Sequence, residues 1–140
     1  MTEIKFNLDE YIESVLARSF EWGHLDCCIF GADWIHGRRG VDPMQGFRGT
    51  YHSKAEAIRL YLKHGGFEAF VGGSIDRAGL SRTNDPDSGD VGIVNVPVGM
   101  KDDAPIFGPV LAIRIATRWN AFGYEGLLGG DFDTRIAWRV

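Results

Sequence analysis

The sequence predicts an α+β protein in which N-terminal helices pack on a small C-terminal antiparallel β-sheet. Two observations predict it. Before Gly65-Gly66 the apolar residues recur at helical spacing, and after Gly89 the period changes to two. Helices first and strands after is the pattern of segregated α+β folds. A third observation concerns the connections. Nineteen glycines, about twice the usual share, fall in pairs or near-pairs that punctuate short elements.

The first helix is expected over residues 8–20. Leu8, Tyr11, Ile12, Val15, Leu16 and Phe20 lie on one face, Asn7 with Glu10 forms a capping box, and Phe6 with Tyr11 a hydrophobic staple. The second is expected over Cys27 to His36, capped by Asp26 and stopped by Gly37. It is apolar around most of its circumference, the pattern of a buried helix. Ser53-Lys54-Ala55-Glu56 is a second capping box. It opens a third helix whose face is Ala57, Ile58, Tyr61 and Leu62, and Gly65-Gly66 ends it. A brief helical turn is expected at 67–71, and Gly79 to Gly89 reads as a polar loop.

The strands follow. Val91, Ile93, Val94 and Val96 suggest a strand with a register slip near Gly92. Pro97 to Pro105 reads as a loop. Residues 109–116 alternate, 118–122 and 126–128 are short strand candidates, and the terminus alternates again through Ile136, Trp138 and Val140. No repeat or linker divides the chain, so residues 1–140 are read as a single domain.

Composition excludes several functions. A hydrophobic fraction of 44% with 24% charged residues is that of a folded globular chain. A net charge of −4 argues against binding nucleic acid through its phosphates. No apolar run reaches the ~18 residues of a membrane span. Met1 to Lys5 has neither a basic nor an apolar leader region, so no secretory signal is expected. Cys27 and Cys28 are adjacent and build no ordinary disulfide framework.

Chemistry points to Asp26-Cys27-Cys28. A cysteine in the first turn of a helix faces unpaired N–H groups and the positive end of the helix dipole, which favour a thiolate. Free cysteines are also common small core residues. His24, Cys27, Cys28 and His36 match no standard zinc spacing, so neither a metal nor a cofactor is expected. Gly65-Gly66 and Gly72-Gly73 follow no strand and make no phosphate loop. The four tryptophans read as core anchors, and Arg38-Arg39 with Arg48 as a solvated basic patch.

Asp26-Cys27 opening a helix, with Gly89-Asp90-Val91 opening a strand, resembles the NlpC-type cell-wall peptidase domain of the papain-like superfamily. Trp22-Gly23, Ala32-Asp33-Trp34, Arg48-Gly49, Tyr51, Gly126-Leu127 and Ala137-Trp138-Arg139-Val140 extend a likeness to small phage and prophage proteins. Their genes tend to lie among those for tail-tip and tail-assembly proteins. The resemblance implies a papain-like (NlpC-type) fold with Cys27 at the nucleophile position and Asp26 as the helix cap beside it. It also implies a general-base histidine within Phe107 to Ala112, where none exists, because His24, His36, His52 and His64 all precede residue 65. Asn120 is the one candidate orienter. Amide hydrolysis needs the proton shuttle as much as the nucleophile, and its loss costs on the order of 10²–10⁴ in rate.

The expectation is a tail-tip, baseplate or tail-assembly structural protein on a degenerate scaffold without hydrolase activity. Its partners would be other phage tail proteins, tail-tip hub or distal tail components, met in the virion or in the host cytoplasm during assembly. The loops Gly40 to Gly49 and Pro97 to Pro105 would make the contacts. The alternative is an active cysteine hydrolase, a peptidoglycan endopeptidase with an unconventional base such as His24 or His52. A host-directed binding protein is a third class.

Overall fold

The computed structural model describes residues 6–140, and Met1 to Lys5, read above for a leader, lie outside them. Four helices, α1 (Leu8–Leu16), α2 (Ile29–Arg39), α3 (Lys54–Lys63) and α4 (Phe67–Arg77), precede five strands. These are β1 (Val91–Lys101), β2 (Ala104–Ile115), β3 (Arg118–Gly123), β4 (Gly126–Gly130) and β5 (Asp133–Trp138). They form one sheet, wholly antiparallel, in the order β4-β3-β2-β1-β5. The α+β class stands as expected.

The helix starts follow their caps. Asn7 Oδ1 accepts the N–H groups of Asp9 and Glu10, and the Phe6 and Tyr11 rings pack at a tilt with centroids 5.3 Å apart. Ser53 and Glu56 exchange bonds, and Glu56 also accepts from the His52 N–H. Gly65, at φ +94°, ends α3 in a Schellman motif: Gly66 N–H reaches Tyr61 O and Gly65 N–H reaches Leu62 O.

Several boundaries differ from the sequence expectation. α1 stops at Leu16, four residues early, and Leu16 itself is exposed. α2 runs through Gly37 and stops at Gly40, whose φ of +73° makes it the left-handed cap. Gly37 lies within the helix, and the Phe6 ring occupies the space a side chain there would need. The brief turn at 67–71 is a full helix, with Gly72-Gly73 inside it. Burial of Phe70, Val71 and Ile75 outweighs a glycine penalty of about 1 kcal/mol each.

The expected loop at Pro97 to Pro105 is instead a continuation of β1 and β2 as a paired hairpin. Asp102 and Asp103, at φ +52° and +62°, turn it in the left-handed region that tight hairpins need. Pro97 is tolerated because β5 pairs with β1 only as far as Asn95, leaving the strand an edge beyond that point. The slip expected near Gly92 is absent from β1, which alternates without a break, Val91 and Ile93 toward the helices and Val94 and Val96 toward the other face. The register shift opposite Ile93 and Val94 comes from an extra residue, Arg135, in β5, and a second shift falls in β1 between Pro97 and Gly99.

The sheet is buried on both faces. The helices cover one, over Val91, Ile93, Leu111, Ile113, Phe122 and Trp138. On the other, Val94, Val110, Ala112, Trp119, Ala121 and Ala137 gather into a second, smaller cluster. Trp119 fills that side only because Gly92 has no side chain: a Cβ there would lie 2.6 Å from the indole. Gly92→Ala is therefore expected to cost about 1–3 kcal/mol by overpacking. Gly99→Ala, where nothing lies within 4 Å of the new Cβ, should stay within about 0.5 kcal/mol of the parent. Urea unfolding of the two variants checks the contrast.

Candidate functional site

The segment that precedes α2 builds the site. Glu21 and Leu25 bridge to each other through a tight loop. Gly23, at φ +83°, lies so close to the Tyr51 carbonyl that a Cβ would sit 2.4 Å from that oxygen. Asp26 follows and is wholly buried. Its Oδ1 accepts the Cys28 and Ile29 N–H groups, both at 2.9 Å. Its Oδ2 accepts the Gly23 N–H at 3.0 Å and the Tyr51 hydroxyl at 2.6 Å. Asp26 O also accepts from Phe30 N–H, so Asp26 closes the helix end as an N-cap, two residues ahead of the first regular turn.

This cap decides the chemistry of Cys27. The helix N–H groups that would favour a thiolate are taken by a carboxylate, which brings a negative charge of its own. Burial first, and Asp26 second, push the Cys27 thiol up to about 12. Cys28 is fully enclosed with its Sγ 3.6 Å from Met44 Sδ, and burial raises it as well. Cys27 keeps some exposed surface and packs on the smaller cluster that holds Val110 and Ala112. Its carbonyl accepts the Leu111 N–H at 3.0 Å.

The segment implied to carry a base, Phe107 to Ala112, is thus in β2, and its nearest members to Cys27 are aliphatic. The imidazoles lie elsewhere. His24, His36, His52 and His64 are all exposed, and none hydrogen-bonds to either cysteine among the described residues. The His24 ring stands over Gly49. Asn120 sits in β3 opposite Ile113, with its carboxamide against Gly129. No group of three or more His, Cys, Asp or Glu among the described residues is placed to hold a metal ion.

Tyr61 and Tyr51 were not singled out as site residues in the sequence. The Tyr61 hydroxyl is buried without a well-formed hydrogen bond and stands beside the Cys27 thiol. Its only signal in the sequence was membership of the apolar face of α3. Tyr51 belonged to a short matching piece, and its role as a donor to Asp26 needed the fold.

The other motif residues form two structural ties. Asp90 is buried and accepts from Arg139 Nη1 at 2.8 Å, Val140 N–H at 3.0 Å and Asp87 N–H at 2.8 Å. Trp34 Nε1 donates to Gly89 O at 2.7 Å. Arg48 is no solvated patch: it grips Asp42 through two bonds of 2.8 and 2.9 Å and Asp33 through a third. Asp42 bonding raises the Arg48 guanidinium further. Burial alone would raise Asp42, but the Arg48 and Met44 donors bring it below the usual carboxylate range. Of the expected core tryptophans, Trp34, Trp119 and Trp138 are buried. Trp22 lies half-buried at the surface against Phe20 and Tyr124.

Apart from this site, a groove of about 660 Å³ opens between the end of α2, residues 40–47 and the end of α4. Cys27 does not line it. No helix is long and apolar enough to cross a membrane among the described residues.

Fold and site define a class: a small α+β domain in which a buried carboxylate caps the helix that follows a cysteine pair, with burial and that carboxylate both raising the first thiol. Residues 2–140 match the family described as Domain of unknown function (DUF6950), and the chain belongs to that family. No curated protein and no solved structure matches it.

Two outcomes follow. Only the thiolate reacts, so alkylation of Cys27, followed site by site by mass spectrometry, should climb about tenfold per pH unit from roughly pH 7 to 11. A plateau near neutrality would mark an activated thiol. Asp26→Ala leaves four buried donors unmatched and should cost about 2–4 kcal/mol in denaturant unfolding. An unchanged midpoint would show that the cap is dispensable.

Proposed function

We propose that this chain is a structural protein of a bacteriophage or prophage tail, a tail-tip, baseplate or tail-assembly component. In this reading it is built on a papain-like, NlpC-type scaffold without hydrolase activity. One observation carries the non-catalytic part. The thiol in the nucleophile position is held protonated by burial and by Asp26, and the strand beside it presents Val110 and Ala112 in place of an imidazole. Such a thiol supplies little nucleophile at neutral pH, and no imidazole among the described residues is bonded to it to protonate a leaving amine.

The tail role rests on the sequence resemblance to small phage and prophage proteins encoded among tail genes. What supports a docking role is the β1–β2 hairpin, which the motif residues leave outside; the Gly40 to Gly49 loop is partly tied into the fold through buried Met44 and the Arg48–Asp42 pair.

The test has two arms. Purified particles from a phage or induced prophage carrying the gene should contain the protein by mass spectrometry, or its deletion should leave tails unassembled. The purified protein should leave muropeptides intact. Particles that lack the protein and assemble normally without the gene would sink the tail reading. Muropeptide cleavage lost on Cys27→Ala would establish the hydrolase instead.

A further inference from the structure

The β1–β2 hairpin extends past the rest of the sheet. β5 pairs with β1 only to Asn95, and β3 pairs with β2 only from Ile113. Between Val96 and Val110 the two strands pair with each other alone, an arm about 20 Å long. Two-stranded ribbons of this kind are marginally stable in water unless a face is covered. This one exposes apolar side chains on both faces: Val98 (50% exposed), Met100 (66%), Ile106 (42%) and Phe107 (58%). Its charges, Lys101, Asp102 and Asp103, are confined to the tip, and neither aspartate has an ion-pair partner among the described residues.

The arm is built against strand addition. Leu111 points its N–H out of the β1–β2 ladder, to Cys27 O. Register along β2 is regular, so residues 105, 107 and 109 face the same open edge. Pro105 and Pro109 remove two of its three donors there. On the β2 edge the prolines disfavour an added strand, and on the β1 edge Pro97 and the register shift at Pro97–Gly99 interrupt the ladder, so the arm is suited to being taken by its side chains, in a groove.

The same molecule carries a groove of complementary character. Val41, Pro43, Phe47 and Ala78 supply its apolar lining, and Arg77 puts a cation on its rim with the His36 imidazole also lining it. Its one acid, Asp42, is already neutralised by Arg48. Arg77 has no ion pair among the described residues, and Arg38 and Arg39 extend the basic character along the end of α2. At about 660 Å³ the groove lies in the range that takes several side chains.

We propose that the arm of one molecule docks in this groove of a second copy, with Phe107 and Met100 on the apolar floor and Asp102-Asp103 against Arg77 and His36. The contact joins two different surfaces, so it either closes reciprocally into a dimer or repeats successively into a ring or filament. It does not depend on the tail reading and stands or falls separately from it.

Sedimentation of the purified chain at concentrations up to about 1 mM, the weak limit of specific binding, tests it. Self-association is expected, weakened about tenfold or more by Phe107→Ser and by Arg77→Glu. Both positions are exposed, so circular dichroism and melting should match the parent. The decisive experiment mixes the two variants. One keeps a sound groove and the other a sound arm, so together they should form 1:1 dimers that grow no further. A monomer throughout the range would overturn the proposal. So would association insensitive to both changes, the absence of mixed dimers, or capture of the arm by a different protein while the chain alone stays monomeric.

Discussion

A carboxylate with no ion-pair partner among the described residues sits at the centre of this fold. Asp26 is fully buried, and its two oxygens are satisfied by three backbone N–H groups and one phenol. Those donors come from three places: the loop before α2, the first turn of α2, and the segment leading to α3. A buried charge is tolerated only when its lone pairs are met by well-aligned donors. The geometry of all three segments is thereby set at once. The neighbouring Cys27 carbonyl then binds Leu111, so the same turn also anchors the helix to the open edge of β2.

A second buried carboxylate closes the chain on itself. Asp90 ties the polar loop to Arg139 and Val140, Arg139 also reaches Asp87 and Thr83, and Trp34 crosses from α2 to Gly89. Two glycines make close packing possible. Gly31 lets α2 approach Leu111, and Gly92 admits Trp119 on the opposite face. Helix, sheet and C-terminus thus meet around two acids and two absent side chains.

This economy has a chemical consequence. The carboxylate that best stabilises the helix start is the one that most disfavours a thiolate beside it, after burial itself. A structural cap and an activated nucleophile compete for the same N–H groups, and in this chain the cap takes them. What remains free to act is the outside: the apolar arm and the basic groove.

Much of the fold could be read from the residues. The Asn7 and Ser53 caps, the Gly65-Gly66 stop, the switch to period two and the α+β class are all local properties, carried by side chains within a few positions of one another. The missing histidine in Phe107 to Ala112 was equally plain. Where reading failed, distant packing had overruled local preference. Gly37 and Gly72-Gly73 look like stops yet lie inside helices: Phe6 packs over Gly37 where no side chain would fit, and the buried face of α4 carries Gly72-Gly73. The prolines at 97 and 105 look like a loop yet lie in an arm, because no third strand asks for their missing N–H groups. The state of Cys27 was the furthest from reach. By itself the sequence determined the helix starts at Asn7 and Ser53, the stop at Gly65-Gly66, the switch to strands after Gly89 and the lack of a histidine in Phe107 to Ala112. The tertiary structure alone decided that Asp26 lies buried against that thiol, since desolvation and hydrogen-bond competition depend on what surrounds a group in space, and order along the chain does not specify it.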